Sequence, residues 1–244
     1  MIKNKICIIS GAGRGIGFQL VEDLLSLDNI VIAFSLTKSK KIDQLLEENP
    51  KYEGKLYRYE FDITDNLKTK EIIQKIWKLF SRIDILINCA GSPYGSLFSM
   101  TTISDFKKIF DVNFFSLIYL CQICARFMAR NKKGVICNVS SSTSLTSEKG
   151  TLVYGSSKAS LNYATKVISK ELADSGIRVN AVAPGVTNTD MLKKMDPEAI
   201  KNQLKSSSLN KIASTSQISG VILFLCSDLS SHMTGQIISV DGGI

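Results

Sequence analysis

The 244-residue chain has one histidine, one tryptophan and four prolines. No stretch rich in Gly, Ser or Pro divides it, so one domain over residues 1–244 is expected. The single histidine, His232, has no cluster of Cys, Asp or Glu around it, which excludes a histidine-based metal centre. Most of the six cysteines lie in apolar patterns and read as small core residues. Cys121 and Cys124 have a CxxC spacing, but with no second pair and no histidine nearby no metal site is expected. The net charge is +8, yet the basic residues fall in short groups such as Lys38–Lys41, Arg130–Lys133 and Lys193–Lys194. Without a clustered basic face or an aromatic stacking platform, nucleic acid is excluded as a partner. No apolar run approaches the roughly 20 residues that span a bilayer. The first ten residues read as a short buried strand with no cleavage site after it, so no leader and a cytoplasmic location are expected.

What is present is an alternation of two patterns. Short, apolar, often β-branched runs at Lys5–Ile9, Ile30–Ser35, Leu56–Phe61, Ile83–Asn88, Gly134–Val139, Arg178–Ala183 and Gln236–Val240 predict strands buried on both faces. Helix-period stretches lie between them, at Ile16–Leu27, Lys40–Glu48, Leu67–Ser81, Ile103–Arg130, Val153–Ser175 and Gln217–Ser227. Strands alternating with helices imply βαβ units. With right-handed crossovers they give an α/β Rossmann fold, a doubly wound, seven-stranded parallel sheet with helices on both faces. Residues 185–214 have weak periodicity and follow a strand end, where such sheets hold ligands, so they form a candidate substrate lid.

The first strand runs into Ser10-Gly11-Ala12-Gly13-Arg14-Gly15-Ile16-Gly17 and then a helix. A glycine-rich turn of this kind aims backbone N–H groups and a helix dipole at a phosphate. The spacing is G-x-x-x-G-x-G with an extra glycine at Gly13. A dinucleotide site selective for NAD usually ends its second strand with an acid that bonds the ribose 2′-hydroxyl. Here Ser35 holds that place, followed by Leu36, Thr37 and Lys38, and no carboxylate stands there to repel a 2′-phosphate. Arg14, Ser35, Thr37 and Lys38 can bind one, so NADP is favoured over NAD.

Tyr154 and Lys158 are an i, i+4 pair on one helix face. An ammonium beside a phenol favours phenolate and makes tyrosine usable as an acid or base near neutrality. Ser141 lies thirteen residues earlier, just past the fifth strand. Asn88-Cys89-Ala90-Gly91 closes the fourth strand, Asn113 sits mid-helix, Pro184-Gly185 closes the sixth with Thr189 following, and Val240-Asp241-Gly242-Gly243 ends the seventh. In order and spacing over essentially the whole chain, these residues resemble the short-chain dehydrogenase/reductase family. The stretches Val182–Gly185, Thr189–Met191 and Thr234–Gln236 are most similar to the 3-oxoacyl-acyl-carrier-protein reductase type.

The resemblance implies roles. Tyr154 gives the carbonyl oxygen a proton, Ser141 holds that oxygen, and Lys158 lowers the tyrosine pKa and bonds the nicotinamide ribose. Asn113 supports a water-linked proton relay. Gly11, Gly13, Gly15, Ile16 and Gly17 cradle the cofactor. Asn88, Ala90 and Gly91 line the adenosine and ribose side, Asp62 and Ile63 face adenine, and Pro184, Gly185, Val186 and Thr189 serve the nicotinamide end. It also implies a homotetramer with the helices near Asn113 and Tyr154 as interface, and reduction of a thioester-linked carbonyl, with acyl carrier protein a possible partner. The lid residues Lys193, Lys194 and Lys201 can meet a pantetheine phosphate. Ser175 departs from the reductase pattern, where a basic residue precedes the glycine matched by Gly176, whereas Lys132 or Lys133 keeps the other basic position. The loop Ser92–Gly95 departs too. A reductase of another alcohol, sugar or polyketide-type ketone is the alternative, and a catalytically silent cofactor binder a third reading.

Overall fold

Each of the seven apolar runs becomes a strand in the computed structural model, which describes residues 2–194 and 197–244, without the side chains of Lys194 and Ala199. The strands are β1 (Ile6–Ser10), β2 (Ile30–Ser35), β3 (Leu56–Glu60), β4 (Ile85–Asn88), β5 (Gly134–Val139), β6 (Ile177–Pro184) and β7 (Ile237–Val240). They form one parallel sheet in the order β3-β2-β1-β4-β5-β6-β7. The order reverses between β1 and β4, and there the carboxyl ends of the strands open a crevice.

Helices α1 (Gly15–Ser26), α2 (Lys40–Glu48), α3 (Asn66–Phe80), α4 (Ile103–Phe110), α5 (Ser116–Arg130), α6 (Leu152–Glu171), α7 (Pro197–Ser206) and α8 (Thr215–Cys226) connect them. Period-2 alternation sends Cys7, Ile9, Val31, Ile85, Ile87 and Cys137 to a core under α1, α2 and α8. Ile8, Ile32, Phe34, Leu86 and Ile136 go to the opposite core under α3 and α5. Both faces are covered, so the strands read as near-continuous apolar runs.

Two expectations need correction. Residues 185–214 are not all irregular, because α7 forms within them, with Pro197 at its start and Glu198 in its first turn. Pro is pre-shaped for that position and an acid there favours the helix dipole. The second concerns membrane-length helices. Ile103–Arg130 is long and apolar enough to cross a bilayer by length and composition. Its apolar side chains Leu117, Leu120, Cys121, Cys124 and Met128 are buried against the sheet, which accounts for the composition.

Candidate active site

Tight backbone packing shapes the phosphate turn. Gly11 has φ +71°, and a Cβ there would lie 2.7 Å from Cα of Ala90, so only glycine fits. A Cβ at Gly17 would lie 2.2 Å from the carbonyl oxygen of Gly11, which locks α1 onto the turn. Gly15 has φ +57° and faces Thr189, while Ile16 packs on the core. Arg14, exposed and extended at φ −162°, precedes α1 without capping it by a side-chain hydrogen bond, and the first turn holds no acid. These first-turn N–H groups suit an anion such as a dinucleotide diphosphate. Ser39, the N-cap of α2, donates to the Gly13 carbonyl at 2.7 Å and ties the end of β2 to the turn.

At that end Ser35 is half-buried, and Thr37 and Lys38 are exposed. A carboxylate is closer than the sequence reading allowed. Asp43, one turn into α2, pairs with Lys38 at 3.4 Å and also with Arg58. Chain reversal at Ser39 brings it alongside, and linear spacing gives no hint of this. The two cations offset its charge.

Asp62 is exposed. One of its oxygens accepts from the N–H and hydroxyl of Thr64, at 2.9 and 2.8 Å. Ile63 is half-buried beside it. Ala90 and Gly91 line the end of β4, with the Ala90 N–H donating to the Ser10 hydroxyl at 3.2 Å. The side chain of Asn88 does not line the crevice as expected. It is buried and donates to Oδ1 of Asn138 at 2.8 Å, and Asn138 donates to Thr165 at 2.9 Å. The last residue of β4 points to the α5 face, where a buried amide requires polar partners.

Asn113 is buried in a π-helical segment, Asp111–Phe115, between α4 and α5. Such wide turns recur at functional sites, but an uninterrupted apolar periodicity conceals them in sequence. Its Oδ1 accepts from the Ser92 N–H at 2.7 Å, and its Nδ2 donates to the Ser92 carbonyl at 3.0 Å and to the Ser157 hydroxyl at 3.2 Å. The amide thus clamps the start of the loop after β4. A Cβ at Gly91 would lie 3.4 Å from Nζ of Lys158 and 3.5 Å from Oδ1 of Asn113, so these groups meet at one point of the cleft.

Lys158 is buried, and its Nζ donates to the Val139 carbonyl at 2.8 Å. Burial pulls its pKa down from 10.5 to about 8, and the nearby Cys89 thiol opposes this. Burial also pushes the Tyr154 phenol above its usual value, and hydrogen bonding by Ser141 pulls the other way. The expected lowering by Lys158 is not among the causes acting on this phenol. Desolvation dominates both groups and disfavours both charged forms. Ser141 caps a short turn, Ser142–Ser144, and that turn is held to α6 by Ser144, which accepts from Asn162 at 2.7 Å.

At the other rim, the Gly185 N–H donates to the Val240 carbonyl at 3.0 Å, and Pro184 pairs with Val240 across the sheet. Val186 is buried, and the Thr189 hydroxyl donates to the Thr187 carbonyl at 3.4 Å. In the lid, Lys193 pairs with Asp190 at 3.0 Å and Lys201 is exposed. Met195, Asp196 and the side chain of Lys194 lie outside the described residues.

Comparison with known proteins finds likeness along the full chain. A family model described as enoyl-(acyl carrier protein) reductase matches residues 11–244. The 3-oxoacyl-[acyl-carrier-protein] reductase FabG of Thermotoga maritima is 35% identical over 243 residues, covering 100% of this chain and 98% of its own. The solved structure of ElxO with NADP bound superposes with a TM-score of 0.89 at 31% identity, covering 98% of both chains. A 7α-hydroxysteroid dehydrogenase complexed with NADH and 7-oxo glycochenodeoxycholic acid has a TM-score of 0.91 at 28% identity, covering 99% of this chain and 94% of its own. Likeness of this extent leaves one assignment: the chain belongs to the short-chain dehydrogenase/reductase family of NAD(P)-dependent oxidoreductases.

Proposed function

We propose that the protein reduces a 3-oxoacyl thioester to the 3-hydroxyacyl thioester with NADPH. The observation that carries the chemistry is the convergence of Ser141, Tyr154, Lys158 and Asn113 at the carboxyl ends of β4 and β5. When bound, the dinucleotide supplies the hydride. The chain's own residues place the carbonyl and supply the proton. Ser141 donates to the carbonyl oxygen, an electrostatic contribution that grows as charge develops there. Tyr154, kept protonated by its buried setting, gives that oxygen its proton. Lys158 binds the nicotinamide ribose and replenishes the phenol, and Asn113 supports the relay behind it.

The cofactor is NADPH on this reading, held at its 2′-phosphate by Arg14, Ser35, Thr37 and Lys38. Two features support it: β2 ends without an acid, and Lys38 and Arg58 offset Asp43. The remaining predicted residues around the glycine turn, Asp62, Ile63, Ala90, Gly91 and Pro184–Thr189 complete the dinucleotide cleft.

Residues 185–214 act as the lid. Support comes from their pinned ends, where Thr187 bridges to Ala213, and from the Ser207 hydroxyl, whose one proton is shared between the carbonyls of Asp241 and Gly242 at 3.0 and 2.9 Å. Closure uses binding energy from the thioester arm to orient the carbonyl at Tyr154. Ser175 lies in the turn beside Lys132, since a Cβ at Gly176 would come 2.2 Å from the Lys132 carbonyl. A serine in the basic position weakens docking of an acidic carrier protein. A homotetramer is supported by exposed Phe115 on the π-helical segment and Tyr163 and Val167 on α6. A cytoplasmic location fits the same reading.

The test is NADPH consumption with a carrier-protein 3-oxoacyl thioester, the coenzyme A thioester, the bare N-acetylcysteamine thioester, a 7-oxo steroid, a sugar ketone and a simple ketone. The thioesters should have the highest kcat/KM, with coenzyme A matching the carrier-protein form. If all thioesters fail while the steroid turns over, the second reading takes its place, which the steroid-bound relative supports.

A further inference from the structure

The Ser141 hydroxyl sits in an unusual hydrogen-bond setting. A serine hydroxyl has one proton to give and two lone pairs to fill. Both lone pairs of Ser141 are engaged by one residue. The Thr143 hydroxyl donates to Ser141 Oγ at 2.8 Å, and the Thr143 N–H donates to the same oxygen at 3.3 Å. We infer that Thr143 is a positioning residue that turns Ser141 into an obligate donor, aiming its proton at the oxygen that Tyr154 protonates. The inference rests on the proposed role of Ser141.

The physical argument is one of competing rotamers. An unrestrained serine hydroxyl can point its proton at any nearby acceptor, and it then meets a substrate carbonyl oxygen with a lone pair, which repels. With both lone pairs filled, the only remaining direction carries the proton. The proton is therefore confined to the cleft side, where it meets the Tyr154 phenol before the substrate arrives, and only a small swing takes it to the carbonyl oxygen beside that phenol.

The rest of the turn makes this arrangement rigid. Ser141 caps the turn in which Thr143 is the middle residue. The Ser144 N–H donates back to the Ser141 carbonyl at 3.0 Å. The Ser140 hydroxyl donates to the Lys158 carbonyl at 3.3 Å, which joins the turn to the helix carrying Tyr154 and Lys158. The Thr143 carbonyl lies against α6 so closely that a Cβ at Gly155, the residue after Tyr154, would come within 3.0 Å of it. Thr143 is thus held at a fixed distance from Tyr154 through its backbone, and its side chain passes that placement to Ser141. A run of Ser-Ser-Ser-Thr in sequence does not reveal which hydroxyl serves which.

The test compares Thr143→Val, Thr143→Ser, Ser141→Ala and the double variant Ser141→Ala/Thr143→Val, using the carbonyl reduced fastest in the substrate panel. Thr143→Val keeps the shape and removes the hydroxyl. It should lower kcat by about 3–10-fold, the value of one oriented hydrogen bond, with KM and the NADPH Kd within about 2-fold. An unchanged NADPH Kd also shows that the variant is folded. Thr143→Ser should restore kcat to within about 2-fold. The double variant should be no slower than Ser141→Ala, because Thr143 acts only through Ser141. Full kcat in Thr143→Val, an equal loss in Thr143→Ser, or losses that multiply in the double variant would each overturn the inference while leaving Ser141 catalytic. Full kcat in Ser141→Ala would instead overturn the reading of the site, and this inference with it.

Discussion

Replacing Lys158 with methionine should abolish turnover and yet stabilise the protein at neutral pH. The Lys158 ammonium is buried, donates to the Val139 carbonyl, and has no carboxylate in ion-pair distance among the described residues. Desolvation brings its pKa from 10.5 to about 8. At about 1.4 kcal/mol per tenfold, holding that charge costs the folded state about 3 kcal/mol at pH 7. Methionine fills similar space without a charge. It leaves the Val139 carbonyl short of one partner, which takes back about 1 kcal/mol. The expected net gain is about 2 kcal/mol. The sign follows from proton binding. Between about pH 8 and 10.5 the unfolded chain keeps its proton on Lys158 and the folded chain does not, so wild-type stability rises relative to the variant. The advantage of methionine is therefore full below about pH 8 and falls by about 2 kcal/mol towards pH 9.5. Urea unfolding of both forms across this range, at one protein concentration, measures the difference. A difference that is flat in pH, or that grows with it, would refute the reasoning.

Three further outcomes follow from the same geometry. Tyr154→Phe should keep the NADPH Kd within about 2-fold and lose about 10²–10⁴ in kcat, and near-normal turnover would sink the mechanism. Wild-type should bind NADPH about 10–100-fold more tightly than NADH, and Ser35→Asp should reverse or erase that preference in paired titrations. Equal affinities in the wild-type would show that Arg14, Thr37 and Lys38 do not read the phosphate. Gly17→Ala should lose about 1–3 kcal/mol of stability together with cofactor affinity, because its methyl would press on the fixed carbonyl of Gly11. Unfolding and NADPH titration of the alanine variant check this, and unchanged values would mean that the turn is looser than it looks.

Much of this architecture was legible in the chain because burial on both faces writes itself into composition. All seven strands, and the seven helices that the six helix-period stretches cover, fall within two residues of those runs at most ends, since βαβ packing leaves few polar positions inside. The exceptions have physical causes. Leu204 and Ile200 give α7 only a thin apolar stripe, and its start depends on Pro197, which reads equally as a loop residue. The π-helical segment at Asn113 shifts the register by one residue inside a helix whose apolar content is continuous. The family resemblance implies that Asn88 lines the cofactor side, but its side chain joins Asn138 and Thr165 in the core. Asp43 and Thr143 were invisible for another reason. Their importance lies in which side chains fold back upon Lys38 and Ser141, and spacing along the chain does not encode this.

Burial acts on both titrating residues of this site by disfavouring the charged form of each. It holds the proton on Tyr154 and loosens the proton on Lys158. An ordinary phenol is already protonated near neutrality, so burial leaves Tyr154 in its proton-giving form and does not by itself select the direction of reaction. Alcohol oxidation needs the phenolate, which this pocket disfavours unless a further positive charge or donor reaches the phenol oxygen. Among the described residues, Ser141 is the side chain that lowers the phenol pKa, through a hydrogen bond. On the proposed reading, its orientation by Thr143 serves both directions: it steadies the carbonyl oxygen during reduction and the phenolate during oxidation. Lys158, whose ammonium donates to the Val139 carbonyl, is not among the causes that act on the phenol here. A ligand that offers further acceptors to this ammonium would stabilise its charge, and would thereby couple cofactor binding to the protonation of this lysine.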